Sequence, residues 1–282
     1  MDGSIGPQVL RLIDMALEED AGRGDVTTRC AVPTGAAGAG RVVAKADVVV
    51  CGLAVFGAVM RRVDARIEVA PRAADGDRLR AGDVALTVAG PLAPMLTAER
   101  TALNFLQHLS GVATLTRRFV EALPADCRTV IADTRKTTPG MRALERAAVL
   151  AGGGRNHRPD LAGGVLIKEN HVVAAGGIEA AISRCRAGAP HTLRVEIEVR
   201  GEDELARALA AGADIVMLDN MDAERIRRCV ALAKGRAVIE VSGGVSLANA
   251  AALAVAGVDV ISVGALTHSA QAADLSFLLE GA

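Results

Sequence analysis

Apolar and polar positions along the first part of the chain recur first at helical and then at strand spacing. Residues 8–19 carry apolar side chains at helical spacing and predict a first helix, and residues 20–28 (DAGRGDVTT) predict a glycine-rich loop. Later runs such as RVVAKADVVV and ALTV predict short strands, with Asp75–Gly76 as a turn between two of them. Residues 97–122 predict one long or broken helical region, with Ser110–Gly111 as the expected break. The first hundred residues therefore predict an α+β arrangement with a small sheet.

After Pro124 the pattern becomes a regular alternation of apolar strands and amphipathic helices. The predicted strands are residues 129–133, 164–168, 194–199, 215–219, 238–242 and 260–264. Apolar strands that alternate with helices are typical of a parallel sheet covered by helices. Six such units favour a TIM-like α/β barrel, complete or open, although periodicity alone leaves a doubly wound sheet as an alternative.

Composition removes several classes of protein. The 282 residues are 51% hydrophobic with a net charge of −1, which supports a large core and argues against a general nucleic-acid binder. Four Phe, no Trp and no Tyr leave little for base stacking. Five scattered Cys without CxxC spacing indicate reduced thiols and no zinc site. Neither a signal peptide nor a charge-free spanning segment is evident, so we expect a cytoplasmic protein without a membrane partner.

Polar or small residues end the predicted strands of the second half. These strand ends are Asp133, Lys168, Glu198, Asp219, Ser242 and Gly264. In an α/β barrel the carboxyl ends of the strands converge on one mouth. A single such residue is most simply a solvent-exposed strand end, but six in succession predict a common site.

The first two strand ends lie in an unusually basic stretch, residues 133–171. Its cationic and imidazole side chains are Arg135, Lys136, Arg142, Arg155, His157, Arg158, Lys168 and His171. Thr137–Gly140 and Gly152–Gly154 interrupt the alternative of one charged surface helix. The chain has only four Lys beside 28 Arg, and two of the four are Lys136 and Lys168. The stretch therefore predicts a site for a polyanion. Lys136 and Lys168 are expected to be positions in this site where the compact ammonium group of a lysine is required and the planar guanidinium group of an arginine would not replace it.

The predicted mouth of the barrel combines basic side chains, two carboxylates and two small-residue turns. Arg135, Lys136, His157, Arg158 and Lys168 suit phosphates or carboxylates. Glu198 and Asp219 could hold Mg²⁺, bind sugar hydroxyls or stabilise a developing cation. Two small-residue turns, Ser242-Gly243-Gly244 and Val263-Gly264-Ala265, each at a strand end just before a predicted helix, could cradle a phosphate. These residues predict a barrel enzyme for a phosphorylated substrate, but they do not define the reaction.

Several longer motifs carry a specific resemblance over nearly the whole chain. In chain order they are EDAGRGDVTT, TAERTALNFLQHLSGVAT, DTRKTTPGMRALERAAV, GGGRNHR, LIKENH, EIEV, AGADIVMLDN, SGGV and GVDVISVGALTHS. In this order and combination the chain resembles the quinolinate phosphoribosyltransferases of de novo NAD synthesis. The resemblance implies an N-terminal α/β sandwich domain (1–113), on which the tail 270–282 could pack. It also implies a C-terminal open TIM-like α/β barrel (114–269) that holds the active site.

The resemblance also implies an activity and roles for particular residues. A phosphoribosyl group would pass from 5-phosphoribosyl-1-pyrophosphate to the ring nitrogen of quinolinate, giving nicotinate mononucleotide, CO₂ and pyrophosphate. Lys136, Lys168, Glu198 and Asp219 would be catalytic, with Mg²⁺ held by the two carboxylates. A homodimer or higher oligomer is implied, in which Arg100 reaches the neighbouring subunit's site. The substrate-binding set would be Arg100, Thr134, Arg135, Lys136, His157, Arg158, Lys168, Glu198, Asp219, Ser242, Gly243, Gly244, Val263, Gly264 and Ala265.

Two alternatives remain on sequence grounds. One is a relative of the same fold with another acceptor, either a ModD-like protein or a nicotinate phosphoribosyltransferase. The other is a non-catalytic sensor of a phosphosugar or nucleotide on the same scaffold. The cations around GGGRNHR favour a dicarboxylate acceptor, and a sensor would not need both lysines and both carboxylates.

Overall fold

The computed structural model describes residues 5–280. Two compact units are assembled from separate stretches of the chain. The first unit comprises the chain up to Arg117, Thr138–Gly153 and the chain from Ser269 onward, and the second comprises Arg118–Thr137 and Gly154–His268. Contacts thus group Thr138–Gly153 with the first unit, whereas the expected boundary at residue 113 assigned this segment to the barrel.

The elements up to the end of the longest helix are α1 Pro7–Ala21, α2 Val26–Ala31, β1 Ala37–Ala44, β2 Val48–Val49, α3 Leu53–Val63, β3 Glu68–Pro71, β4 Arg78–Leu79, β5 Val84–Pro91 and α4 Leu92–Glu121. The elements after it are β6 Val130–Ala132, α5 Arg142–Ala151, β7 Val165–Ile167, α6 Glu169–Ala175, α7 Ile178–Gly188, β8 Val195–Val199, α8 Glu202–Ala210, β9 Ile215–Asp219, α9 Ala223–Ala233, β10 Val238–Ser242, α10 Ala250–Val255, β11 Val260–Ser262, α11 Ala265–His268 and β12 Leu275–Leu279. All six predicted strands of the second half are present, and helix α6 was not predicted.

The first unit contains a four-stranded sheet in the order β12-β1-β5-β3 and a two-stranded pair, β2 with β4. All of these pairings are antiparallel. The C-terminal strand β12 pairs with β1, where Ala44 lies opposite Leu275 and Gly40 opposite Leu279. The chain therefore returns to the N-terminal sheet after the barrel segments.

Helix α4 is one unbroken helix of 30 residues, so the break expected at Ser110–Gly111 is wrong. Ser110 is fully buried, and its hydroxyl accepts from the Cys51 backbone N–H at 3.0 Å. A Cβ at Gly111 would collide with the Gln271 carbonyl. These two small residues therefore allow other segments of the same chain to approach the helix closely. In the sequence, small residues required for such packing look the same as residues that interrupt a helix.

The predicted loop at residues 20–28 is also partly wrong, because α2 begins within it. The Asp25 carboxylate accepts from the Thr28 backbone N–H at 2.9 Å and caps that helix. An aspartate at this position satisfies one of the unpaired N–H groups of the first turn and so stabilises the start of the helix. The glycines before Asp25 concealed this start signal in the sequence.

The second unit is built on a six-stranded parallel sheet in the order β6-β11-β10-β9-β8-β7. The order follows the chain except that the last strand, β11, pairs with the first, β6. This is the connectivity of a barrel and not of a doubly wound sheet. The barrel is open between β6 and β7, where Arg155 makes a single parallel bridge to Ala132. The predicted open TIM-like barrel is confirmed.

Alternation along the strands separates an apolar face from a face that carries polar groups. Val195, Ile197 and Val199 on β8 are buried, whereas Glu196 and Glu198 point to the opposite face. Helices α8 and α9 bury apolar residues at helical spacing, such as Leu205 and Leu209, and cover the unit. The carboxylates therefore lie on the inner face of the open barrel.

Candidate anion-binding site at the strand ends

Residues at the carboxyl ends of neighbouring strands lie together on the inner face. In the register of the sheet Glu198 is opposite Met217, and Asp219 is opposite Ser242. Lys168 follows β7 and is the N-cap of α6. Its ammonium group lies 2.8 Å from Glu198 Oε2, with side-chain exposures of 52% for Lys168 and 16% for Glu198. Lys168 and Glu198 thus form an ion pair at this edge of the sheet.

Asp219 is held by the residue after it in the chain. Asn220 donates from Nδ2 to Asp219 Oδ2 at 3.0 Å, and its backbone N–H donates to the Ser242 carbonyl at 3.1 Å. Gly243 has a φ of 83°, and a Cβ there would collide with the Asn220 side chain. A tight left-handed turn therefore brings the Ser242–Gly244 loop against Asn220, the residue that bonds to Asp219, and only glycine fits at its centre.

The two predicted phosphate loops lead into different local structures. Helix α11 starts at Ala265, directly after Gly264, but it is only one turn long. Helix α10 starts at Ala250, several residues beyond Gly244, so the expectation that the Ser242 loop directly precedes a helix is wrong. The turn residues Ser246 and Asn249 occupy the interval, where the Ser246 backbone N–H donates to Asn249 Oδ1 and Asn249 Nδ2 donates to the Gly244 carbonyl.

Lys136 lies next to the second of these loops. A Cβ at Gly264 would stand 3.0 Å from Lys136 Cδ and 3.2 Å from His268 Nε2. Thr267 Oγ1 donates to the Lys136 carbonyl at 2.7 Å. The Lys136 backbone N–H donates to Thr134 Oγ1 at 3.1 Å, which shapes the turn after β6. The Lys136 side chain is exposed, so its ammonium group is accessible to an anion beside the Val263–Ala265 loop.

A short segment after α5 brings the GGGRNHR motif alongside β6. Arg155 N–H donates to the Ile131 carbonyl at 2.8 Å, and Asp133 N–H donates to the Arg155 carbonyl at 3.0 Å. The fully buried Asp133 then accepts the His157 backbone N–H at 2.7 Å. Asp133 therefore has an anchoring role that the sequence did not reveal.

Arg158 is placed by the same segment and lies near another cation. Its Nη1 donates to the Gly164 carbonyl at 3.0 Å. Partial burial, and then the positive charge of Arg135, lowers the pKa of Arg158. The carboxylates of Glu196 and Asp160 oppose this shift, so Arg158 lies among charges of both signs.

His157, Glu196 and Glu240 form a buried group that we call the His157 cluster. The Nε2 atom of His157 lies 3.2 Å from Glu196 Oε2 and 3.5 Å from Glu240 Oε1. Hydrogen bonding to Glu196 raises the pKa of His157, while burial opposes the shift. Burial, and then the charge of Glu196, raises the pKa of Glu240 to about 7. Sequence analysis missed both glutamates, although an acidic residue inside the apolar runs VEIEV and VIEVS was a visible signal.

The second unit thus contains every predicted site residue except one. Arg100 belongs to the first unit, on α4, and its side chain is exposed. Glu198 and Asp219 fit a Mg²⁺ ion that takes few protein ligands, because each has one oxygen not used in the bonds to Lys168 and Asn220. Among residues 5–280, the only group of three potential ligands is the His157 cluster. No helix in the described part of the chain is long and apolar enough to cross a membrane.

The fold and the strand ends define an open α/β-barrel protein that gathers cationic and carboxylate side chains at one edge of its sheet. The family model described as "Quinolinate phosphoribosyl transferase, C-terminal domain" matches residues 112–278, and that of the N-terminal domain matches residues 25–110. The chain belongs to the quinolinate phosphoribosyltransferase family, as the motifs predicted.

Relatives and solved structures agree over almost the whole chain. It is 42% identical over 275 residues to the nicotinate-nucleotide pyrophosphorylase [carboxylating] of Mycobacterium leprae, covering 93% of this chain and 94% of that one. It is 39% identical over 269 residues to a probable enzyme of the same name from Bacillus subtilis, covering 95% and 92%. The structure of the nicotinate-nucleotide pyrophosphorylase from Francisella tularensis superposes with a TM-score of 0.92 at 36% identity, covering 99% and 98%.

Proposed function

We propose that the protein transfers a phosphoribosyl group from 5-phosphoribosyl-1-pyrophosphate to quinolinate. The products are nicotinate mononucleotide, CO₂ and pyrophosphate, in de novo NAD biosynthesis. The observation that carries the proposal is the pairing of Lys168 with Glu198 at the strand ends, with Asp219 at the end of the neighbouring strand β9. The names of the relatives support the same activity.

Quinolinate carries two adjacent carboxylates, and the basic segment suits them. Arg135 and Arg158 are close enough for one to lower the pKa of the other. A guanidinium group can bind a carboxylate through two parallel hydrogen bonds, which fixes both distance and orientation. Binding of a dianion also relieves the mutual repulsion of the two cations. This pair therefore favours a dicarboxylate acceptor over nicotinate, which has a single carboxylate.

The other substrate suits the carboxylate side of the face. Glu198 and Asp219 would bind the ribose hydroxyls and offset positive charge at the anomeric carbon as pyrophosphate leaves. Lys136, beside Gly264, and the Ser242–Gly244 loop would bind phosphate groups. We further propose Mg²⁺ as the cofactor held by Glu198 and Asp219, where it would neutralise phosphate charge.

The chemical steps require little more than positioning. The quinolinate nitrogen donates its electron pair to the anomeric carbon, and the bond to the pyrophosphate oxygen breaks. The ring nitrogen is then positive and stabilises the electron pair that stays on the adjacent ring carbon as CO₂ leaves, and that carbon then takes up a proton in place of the carboxylate. Lys168 holds one anionic group near Glu198 during both steps. Orientation of the two substrates supplies much of the rate enhancement.

We also propose a homo-oligomer in which Arg100 completes the neighbouring subunit's site. Its exposed position on α4 leaves the guanidinium accessible to another subunit. A cytoplasmic location fits the five cysteines, all of which are free thiols.

The test is incubation of the purified protein with 5-phosphoribosyl-1-pyrophosphate, Mg²⁺ and one of two acceptors. Quinolinate should give nicotinate mononucleotide and CO₂ in equal amounts, measured by mass spectrometry and by release of labelled CO₂. Nicotinate should give at most about 1% of that rate, since one of two charge-assisted contacts is lost. Product from nicotinate and none from quinolinate would overturn the proposal in favour of the same-fold alternative.

A further inference from the structure

The His157 cluster contains two carboxylates whose burial needs a physical reason. Glu196 and Glu240 are each 3% exposed. Among the described residues, neither Glu196 Oε1 nor Glu240 Oε1 has a hydrogen-bond partner. A buried carboxylate costs several kcal/mol of desolvation unless nearby groups compensate. Two such groups on strands that otherwise bury Val and Ile indicate a role other than stability.

A metal ion is the first candidate, because the three possible ligand atoms lie within 4.8 Å of one another. The hydrogen bonds of His157 argue against it. The Arg158 backbone N–H donates to His157 Nδ1 at 2.7 Å, so the proton of the neutral ring lies on Nε2. A metal needs the Nε2 lone pair, and binding would therefore break the bond to Arg158. The adjoining cavity of about 480 Å³ is also lined by Arg155, Arg158 and Arg194, which repel a cation.

The same hydrogen bonds connect the Glu196 carboxylate to Arg158. Nε2 of His157 lies 3.2 Å from Glu196 Oε2, with Glu240 Oε1 farther away at 3.5 Å, and Nδ1 accepts the backbone N–H of Arg158. The His157 amide is itself fixed by Asp133. If the imidazole ring rotated, the Arg158 amide would lose its acceptor, and the backbone that carries this guanidinium would be less restricted.

We propose that Glu196 is a positioning residue for Arg158. It accepts the Nε2 proton of His157, holds the ring in this tautomer and thereby fixes the Arg158 backbone for the substrate carboxylate. His157 is the link through which Glu196 acts on Arg158. This inference rests on the proposed function, because it assigns Arg158 to the quinolinate carboxylates.

Two substitutions of Glu196 distinguish two possible roles of its carboxylate, which are to accept a hydrogen bond at the right distance or to supply a negative charge. Glu196→Gln keeps the length and an accepting oxygen but removes the charge. Glu196→Asp keeps the charge but withdraws the oxygen by one methylene. The measurements are kcat and the KM values for both substrates, with Glu224→Gln and Glu224→Asp as a matched pair on the exposed surface of α9.

Glu196→Asp should raise the KM for quinolinate about tenfold, because a displaced Arg158 binds the carboxylate less well. Its KM for 5-phosphoribosyl-1-pyrophosphate should stay within about twofold of the wild-type value, and Glu196→Gln should stay within about threefold in both KM values. The Glu224 pair should match the wild type. A larger defect in Glu196→Gln than in Glu196→Asp, or equal changes in both KM values, would overturn the positioning role.

Two further outcomes have distinct meanings. A rise in wild-type Tm with Zn²⁺ or Mn²⁺ that is absent in Glu196→Gln would make the cluster a metal site and overturn the inference. Wild-type turnover of quinolinate with no change in either Glu196 variant would refute the positioning role alone. Absence of wild-type turnover with quinolinate would refute the proposed function, and the inference with it.

Discussion

Removal of the Lys168 ammonium group should lower the turnover strongly while changing the stability of the fold only slightly. In Lys168→Ala the ion pair with Glu198 is lost, but Lys168 is 52% exposed, and exposed pairs of this kind contribute about 0–1 kcal/mol. For a chain of this size, 1 kcal/mol corresponds to a Tm change of about 2–4 °C. Turnover should nevertheless fall at least tenfold, equivalent to about 1.4 kcal/mol of transition-state stabilisation, because an anionic group loses its counter-charge.

Two assays decide this prediction. Thermal unfolding of Lys168→Ala and wild type gives the stability difference, and single-substrate titrations give kcat and both KM values. Lys45→Ala, which removes an exposed lysine of the first unit, is the control and should change neither quantity. A near-normal rate for Lys168→Ala would show that the site has been placed at the wrong strand ends. A Tm loss above about 8 °C would show instead that the pair is structural.

The remaining predictions concern the loop, the buried glutamate and the subunit arrangement. Gly243→Ala should lower turnover about tenfold or more, since a Cβ would displace Asn220 and with it Asp219, and wild-type kinetics would contradict this contact. The pKa of Glu240 rises from 4.5 to about 7 on folding, so its contribution to the free energy of unfolding decreases as pH rises through that interval. The stability of Glu240→Gln relative to wild type should therefore increase by about 1–3 kcal/mol between pH 5 and pH 8 in urea titrations, and a constant difference would exclude this linkage. A mixture of Arg100→Ala with Lys136→Ala should recover part of the lost activity if sites are shared between subunits, whereas activity equal to the average of the two pure variants would count against sharing.

The strands and most helices of the second unit were predictable because each is encoded locally. The spacing of apolar residues within one short segment is enough to predict whether that segment is a strand or a helix and which of its faces is buried. The continuity of α4 was not predictable, because Gly111 is required by the distant Gln271 carbonyl and not by its neighbours in sequence.

Prediction of the site had a similar limit. Strand-end residues such as Glu198 and Asp219 can be located directly from periodicity, since parallel strands end at the same edge. The pairing of Arg155 with Ala132 joins residues on either side of α5, and no local pattern indicates it. The His157 cluster depends on contacts between that segment and two strands, so Glu196 and Glu240 were visible in the sequence but their proximity to His157 was not.

The pairing of β12 with β1 has a consequence for synthesis on the ribosome. One edge of β1 has no strand partner until Leu275–Leu279 has emerged, more than 200 residues after Ala44. The segments of the barrel are all translated in the meantime, so the second unit can fold before the first sheet is complete. During that interval β1 presents an unpaired edge of the kind that nucleates aggregation. We expect nascent chains stalled before Leu275 to depend on chaperones more than the released protein does.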